Sequence, residues 1–214
     1  MIKACIFDLD GVIVDTAHYH FIAWKRLADE LGIQFTALDN EKLKGVSRMD
    51  SLNILLSIGG MTLNKKIKEQ LADKKNGWFV EFVETITPKE IFPNVKPLLK
   101  KLKSAGIRMA VASSSKNAKR VLELLKINEY FDVVIDGTMI VNTKPDPEIF
   151  LLAASQLKVD PKECVVFEDA ESGVEAALSA GMKCVGVGSE QRLGKANKVV
   201  KRTGDFQYKD LQNL

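Results

Sequence analysis

The sequence has few cysteines, little net charge and no long apolar run. Its three cysteines, Cys5, Cys164 and Cys184, lie in separate strand-like segments with no CxxC spacing. We therefore expect buried thiols in a reducing cytoplasm, and neither a redox centre nor a cysteine-ligated metal. The net charge of +3 over 214 residues is too small to indicate binding to nucleic acid or to an anionic membrane surface.

The longest apolar stretches are strand-length, far short of the roughly 20 residues that span a bilayer. Asp8 interrupts the first apolar run, Ile2–Phe7, before that run could serve as a signal peptide. The chain is 46% hydrophobic and 28% charged, which is typical of a soluble globular protein. We therefore expect a cytoplasmic protein without a membrane span, large enough for one domain that carries a smaller insert.

Apolar runs alternate with helical patterns over much of the chain. Five runs predict buried parallel strands: Ile2–Phe7, Ile107–Ser113, Val133–Ile135, Cys164–Phe167 and Met182–Val187. Helical patterns lie between or before them: Asn94–Ala105, Lys116–Leu125, Pro147–Leu157 and Glu171–Ala180. This alternation predicts an α/β fold with a doubly wound, Rossmann-like parallel sheet.

One stretch, from about Ala17 to Thr87, contains helical patterns and no convincing strand. The predicted helices are His18–Leu31, roughly Asp39–Ile58 and roughly Asn64–Ile86. We predict a core domain of residues 1–15 and 91–214, and an inserted helical cap domain of residues 16–90. Since the insert directly follows an acidic loop, it is placed to close over a site as a lid, with hinges near residues 14–17 and 87–93.

Two acids, Asp8 and Asp10, follow the first predicted strand, which Gly11 ends. Ligands of open parallel sheets bind at the carboxyl ends of the strands. Two uncompensated carboxylates so close repel each other, so that one would be protonated unless a cation lies between them. This arrangement suits a hard metal ion beside a carboxylate nucleophile, as phosphoryl transfer requires; two solvated loop acids are the alternative.

Three further features follow later predicted strands. The Ser113–Asn117 tract runs from a strand end into a helix, where hydroxyl and N–H groups suit an anion, although helix capping would also explain it. Lys144 precedes a helix and could neutralise a phosphate or an acyl phosphate, or simply be solvated. The adjacent acids Glu168 and Asp169 end an apolar strand, where they need a partner such as Mg²⁺.

The order of these features along the chain resembles that of the haloacid dehalogenase superfamily. Several segments resemble its β-phosphoglucomutase family: Phe7–Thr16 with His18 to His20, Leu43–Arg48, Lys74–Asn76, Ala112–Asn117 and Gly186–Gly188. The resemblance covers essentially the whole chain and implies a helical cap of that superfamily's first type. The chain departs from the family at the Asp136–Thr143 loop and at Ser114, where alanine is usual.

The resemblance implies roles for the residues at the strand ends. Asp8 would attack phosphorus and become an aspartyl phosphate, and Asp10 would be the general acid and base. Mg²⁺ would be held by Asp8, the backbone carbonyl of Asp10 and Asp169, with Glu168 bound directly or through water. Lys144, Ser113 and the Ser114 N–H group would hold the transferring phosphoryl group.

The remaining roles concern the sugar and its second phosphate. The resemblance places the non-reacting phosphate on Arg48, Ser115, Lys116 and Asn117. Thr16 and His20 would couple cap closure to Asp10, and four residues would approach the sugar or line the cap side: Lys44, Gly45, Lys75 and Asn76. His20 could instead be an ordinary polar helix residue beside Trp24, and the four cap residues could be solvated helix ends.

The reaction implied is conversion of β-D-glucose 1-phosphate to glucose 6-phosphate, with β-glucose 1,6-bisphosphate as intermediate and activator. We expect a monomer whose partner is a small phosphosugar. A sugar-phosphate or phosphoglycolate phosphatase is the main alternative, because the core motifs do not distinguish transfer to sugar from transfer to water. Phosphonate cleavage is disfavoured because Asp10 is present, and a non-catalytic phosphosugar-binding protein because Asp8 and Lys144 are present.

Overall fold

A computed structural model describes all 214 residues, and a six-stranded parallel sheet lies at its centre. The strands are β1 Ala4–Phe7, β2 Arg108–Ala112, β3 Val133–Ile135, β4 Cys164–Glu168, β5 Lys183–Val187 and β6 Lys198–Val200. Their order is β3-β2-β1-β4-β5-β6, so that β1 lies between β2 and β4. The predicted doubly wound α/β fold is confirmed.

The sixth strand, β6, is absent from the sequence-based prediction, which has five strands. It pairs only with β5, and its three residues are all partly exposed. Lys198 and Lys201 flank its two valines, so it forms no apolar run of strand length. An edge strand of this kind is defined by its neighbour more than by its own sequence.

Helices cover both faces of the sheet. They are α5 Val95–Ser104, α6 Ala118–Leu125, α7 Glu148–Leu157, α8 Glu171–Ser179 and the short α9 Glu190–Leu193. Alternate strand residues enter two apolar clusters: Cys5 and Phe7 lie with the buried residues of α5 and α6, and Ala4 and Ile6 with those of α7 and α8. Both faces are therefore buried, which explains the continuous apolar runs.

The first four helices all lie between β1 and β2. They are α1 Ala17–Glu30, α2 Ala37–Glu41, α3 Arg48–Ile58 and α4 Lys65–Val83; α4 packs against both α1 and α3. The prediction of one helix over roughly Asp39–Ile58 is wrong, because residues 42–47 form a loop. Gly45 in this loop has a φ of +76°, and the Ser47 side chain caps α3 by accepting a hydrogen bond from Asp50 N.

The two connections between these helices and the sheet run side by side. Val14 and Ile91 form an antiparallel bridge, and Phe92 N donates to Ile13 O over 3.0 Å. The division into domains of residues 1–15 with 91–214 and 16–90 stays a prediction. No helix in the structure combines the length and the apolar character needed to cross a membrane.

Candidate active site

A buried lysine joins two carboxylates at the carboxyl ends of the central strands. Lys144 Nζ donates hydrogen bonds to Asp8 Oδ1 over 2.6 Å and to Glu168 Oε2 over 2.8 Å. Asp8 follows β1, and Glu168 ends the neighbouring β4. Burial alone would lower the pKa of Lys144, but the two carboxylates raise it above its ordinary value. The ammonium group therefore stays charged between them.

Three carboxylates lie together around Lys144. Asp8, Glu168 and Asp169 offer oxygen atoms that all lie within 4.8 Å of one another. Burial raises the pKa of Glu168 to about 8, and Asp8 adds to the shift although Lys144 opposes it. Burial and the Asp8 charge likewise raise the pKa of Asp169 to about 6. An excess of buried oxygen ligands with these pKa values fits a hard divalent cation such as Mg²⁺.

Asp10 has a different environment from Asp8. Its side chain lies outside the three-carboxylate cluster and lines the adjoining cavity. Burial raises the pKa of Asp10 well above its ordinary value, and the charges of Asp8 and Asp169 add to this shift. A raised pKa favours the protonated form of a carboxyl group, which is the form that acts as a general acid.

A cavity lies between the strand ends and the helices α1–α4. Most of the predicted site residues line it: Asp8, Asp10, His20, Lys44, Gly45, Arg48, Lys75, Asn76, Ser113, Ser114, Ser115, Lys116, Asn117 and Asp169. Three others do not. Lys144 and Glu168 are buried against Asp8, and Thr16 is buried at the start of α1. The Thr16 hydroxyl has no hydrogen-bond partner in the protein.

Two polar residues that line the cavity, Asn40 and Ser51, are missing from the sequence-based prediction. Ser51 lies one helical turn after Arg48 on α3, so the two share a face of that helix. This spacing is a signal that could have identified Ser51. Asn40 has no such signal, because it lies in the short helix α2, away from the motifs that the sequence analysis singled out.

The Ser113–Asn117 tract folds back on itself between β2 and α6. Ser113 Oγ accepts a hydrogen bond from Ser115 N, and Ser115 Oγ accepts one from Asn117 N, both over 3.2 Å. The tract approaches Gly137 closely, because a Cβ atom on that glycine would lie 2.1 Å from Ser114 O. Hydroxyl and N–H groups at the start of a helix suit an anion.

Lys75 and His20 form a buried pair on the other side of the cavity. Lys75 Nζ lies 2.7 Å from His20 Nδ1 and over the rings of Trp24 and Phe79, at 4.7 and 4.9 Å. Burial, aided by the Arg48 charge, lowers the pKa of Lys75 to about 7. Burial and the Lys75 charge lower the pKa of His20 well below its ordinary value. The lowered pKa favours the neutral ring of His20, whose Nδ1 shares a hydrogen bond with Lys75 Nζ.

Other residues from the helical side reach the strand-end loops. Asn76 Oδ1 accepts a hydrogen bond from Asn117 Nδ2 over 3.0 Å, and Lys44 Nζ lies 3.5 Å from Asp169 Oδ2. Arg48 Nη1 lies 3.4 Å from Asp73 Oδ1, and its side chain is 21% exposed. Lys44 therefore contacts a strand-end carboxylate across the cavity, whereas Arg48 contacts a carboxylate of α4.

Comparison with known proteins identifies the family. The haloacid dehalogenase-like hydrolase family matches residues 2–181. The β-phosphoglucomutase of Bacillus subtilis is 44% identical over 95% of this chain and 91% of its own length. A crystal structure of β-phosphoglucomutase from Clostridium difficile, 43% identical, covers 100% of this chain and 96% of its own, with a TM-score of 0.96. A phosphorylated carbohydrates phosphatase of Thermotoga maritima is 36% identical over 91% of this chain and 89% of its own. The chain therefore belongs to the haloacid dehalogenase-like hydrolases and, among them, to the β-phosphoglucomutase family.

Proposed function

We propose that this chain converts β-D-glucose 1-phosphate to glucose 6-phosphate through an aspartyl-phosphate enzyme and β-glucose 1,6-bisphosphate. The observation that carries the proposal is one cavity lined both by the strand-end carboxylates and by polar and cationic residues suited to a second phosphate, Arg48, Ser115, Lys116 and Asn117. The β-phosphoglucomutases among its relatives support the same reaction.

Asp8 is the nucleophile of this proposal. Its Oδ1 already accepts a hydrogen bond from Lys144 Nζ over 2.6 Å, which orients the carboxylate at the end of β1 for attack on phosphorus. Lys144 and Ser113 neutralise and orient the transferring phosphoryl oxygens, with the Ser114 N–H group beside them. In the transition state, negative charge spreads over those phosphoryl oxygens. Hydrogen-bond donors that are already in position stabilise this charge.

Asp10 is the general acid and base. It takes a proton from the attacking sugar hydroxyl and returns one to the leaving oxygen, and its raised pKa favours holding that proton between the two steps. Asp8, the backbone carbonyl of Asp10, Asp169 and Glu168 would hold Mg²⁺, which when bound supplies positive charge to the transferring phosphoryl group. The acidic cluster supports this ligand set.

The non-reacting phosphate binds at the second anion site, formed by Arg48, Ser115, Lys116 and Asn117. The guanidinium of Arg48 suits bidentate phosphate contact. Lys44, Gly45, Lys75 and Asn76 surround the sugar. After the first transfer the bisphosphate reorients end for end, so that its 1-phosphate returns to Asp8 and glucose 6-phosphate leaves.

Residues 16–90 act in this proposal as a lid on the core of residues 1–15 and 91–214. Thr16 and His20 lie at the start of α1, where they couple lid movement to Asp10. Lid closure excludes water from the aspartyl phosphate. The lid contacts the core of its own chain, which supports a monomer as the active form.

A sugar-phosphate phosphatase is the second candidate, and the Thermotoga maritima relative favours it. Both reactions could use the same core residues equally well: Asp8, Asp10, Lys144, Glu168 and Asp169. The second anion site favours the mutase, because hydrolysis does not require the enzyme to bind a second, non-reacting phosphate.

The test is to supply β-glucose 1-phosphate and Mg²⁺, with and without trace β-glucose 1,6-bisphosphate, and to follow glucose 6-phosphate and inorganic phosphate together. The mutase predicts glucose 6-phosphate as the main product, stimulated by the bisphosphate. Asp8→Asn should lower this activity by at least about 10³-fold, because the nucleophile is lost. Inorganic phosphate as the main product of the wild type would contradict the mutase and support the phosphatase.

A further inference from the structure

Two serine hydroxyls of the core bind consecutive backbone carbonyls of the 42–47 loop. Ser114 Oγ donates a hydrogen bond to Gly45 O over 2.8 Å, and Ser172 Oγ donates one to Lys44 O over 3.4 Å. Ser114 follows β2, whereas Ser172 lies in the first turn of α8. The two hydroxyls therefore reach the loop from different elements.

The 42–47 loop lies close against the core at Gly45. A Cβ atom on Gly45 would lie 2.7 Å from Ser172 Oγ and 3.6 Å from Lys144 Cδ. The positive φ of Gly45 also disfavours any residue with a Cβ atom. The glycine thus lets the loop backbone come close enough for both serines to bind it.

We infer that Ser114 and Ser172 form a latch that holds the 42–47 loop down and determines whether the aspartyl phosphate is transferred to a sugar hydroxyl or to water. The latch rests on the proposed function, because it governs the fate of that intermediate. Its hydroxyls do not hydrogen-bond Asp8, Asp10 or Lys144, so they act through the position of the loop. Both serines are positioning residues in this respect.

The loop matters because it carries groups that cover the site. Lys44 lies 3.5 Å from Asp169, and Gly45 and Lys44 both line the cavity. When the loop lifts, a water oxygen can bond to phosphorus while the bond from phosphorus to the Asp8 oxygen breaks. The water gives its proton to Asp10, Asp8 returns as a carboxylate, and inorganic phosphate leaves. This side reaction competes with transfer to the sugar.

Each hydrogen bond that the latch loses should shift the equilibrium between closed and open loop by about 2- to 10-fold, as for a typical intramolecular hydrogen bond. The experiment compares the wild type, Ser114→Ala, Ser172→Ala and the double variant in the assay with β-glucose 1-phosphate, Mg²⁺ and bisphosphate. The ratio of inorganic phosphate to glucose 6-phosphate should rise by about that factor in Ser114→Ala, toward its lower end in Ser172→Ala because the hydrogen bond of Ser172 is longer, and most in the double variant. KM should rise more than kcat falls.

Ser155→Ala is the matched control, because Ser155 is exposed on α7 and away from the loop. Ser172→Thr keeps a hydroxyl and should keep the wild-type product ratio. A double variant with the wild-type ratio and wild-type KM would overturn the latch.

A second readout does not depend on the reaction. Amide hydrogen exchange of the protein without ligand should be faster at residues 42–47 in the double variant than in the wild type. If the wild type forms no glucose 6-phosphate, the mutase proposal fails, but hydrogen exchange still tests the latch. Equal exchange rates at residues 42–47 in the two proteins would overturn it.

Discussion

Two buried lysines, Lys144 and Lys75, have opposite electrostatic surroundings in this site. Two carboxylates bind Lys144 and keep it protonated. Lys75 is also almost fully buried, but its hydrogen-bond partner is the neutral ring of His20, and its pKa falls to about 7. Lys144 therefore supplies a fixed charge beside Asp8, whereas Lys75 supplies an amine that changes charge near neutral pH.

Replacing Lys75 with methionine should make the free energy of unfolding less dependent on pH. The unfolded chain protonates this lysine up to about pH 10.5, but the folded chain releases the proton near pH 7. The unfolded state therefore binds more protons between these values, and the stability of the wild type rises with pH across that window. Below about pH 7, Lys75 is protonated in both the folded and the unfolded state. Burial of its charge then lowers the free energy of unfolding by its full amount.

We therefore expect Lys75→Met to be more stable than the wild type at pH 6, by about 1–3 kcal/mol, and this advantage to shrink toward pH 9. Urea denaturation at several pH values measures the difference, and Lys66→Met, on the exposed face of α4, is the control. Mutase activity should fall, because Lys75 lines the cavity. An advantage that did not change with pH would contradict the lowered pKa.

At the scale of elements, the sequence predicts strands well where both their faces are buried. β1, β2, β4 and β5 appear in the sequence as apolar runs. The polar residues at the ends of three of these runs include the carboxylates and serines that line the cavity. β6 could not be predicted, because its own sequence has no apolar run of strand length and it is a strand only through its pairing with β5. The break at residues 42–47 was missed because a single glycine in a helical pattern is ambiguous until its φ is known.

Two glycines on different elements allow a matched prediction. Gly77 is exposed in the interior of α4, where an added Cβ atom meets nothing within 4 Å. Gly77→Ala should raise the free energy of unfolding by about 0.5–1 kcal/mol, since alanine loses less backbone entropy in a helix. At Gly137 the same change would press on Ser114 O, so Gly137→Ala should displace the serine tract and lower activity.

Urea denaturation and kcat/KM measured on both variants separate the two effects. We expect about a 10-fold or greater loss of kcat/KM for Gly137→Ala, because a shift of about 1 Å in a positioned group is costly to catalysis. Full activity in Gly137→Ala would show that the serine tract moves aside without harm to the phosphate site.

At the scale of the whole molecule, the helical insert and the sheet meet in two different ways. Near the connections the contact is apolar: Val14, Ile86 and Val95 belong to one buried cluster with the helices of the insert. At the far side of the cavity the contacts are polar: Ser114 to Gly45, Asn117 to Asn76, Thr143 to Asp50, and Arg192 to Glu41. Polar contacts between two bodies open at lower cost than apolar ones, so the polar side is where the cavity should open.

Hydrogen exchange tests this arrangement in the Asp8→Asn variant, which lacks the nucleophile and is therefore expected to bind phosphosugar without rapid turnover. Adding Mg²⁺ and β-glucose 1,6-bisphosphate should slow amide exchange at residues 42–48 and 113–117, because bound phosphosugar links both sides of the polar contact. Exchange in β1 and β4 should not change, since these strands are buried at the sheet centre in either state. Adding Arg48→Ala to the same variant should weaken the protection by removing the guanidinium of the second anion site. Protection spread evenly over the sheet and the insert would mean that they open as one body and that the connections at Val14 and Ile91 do not act as hinges.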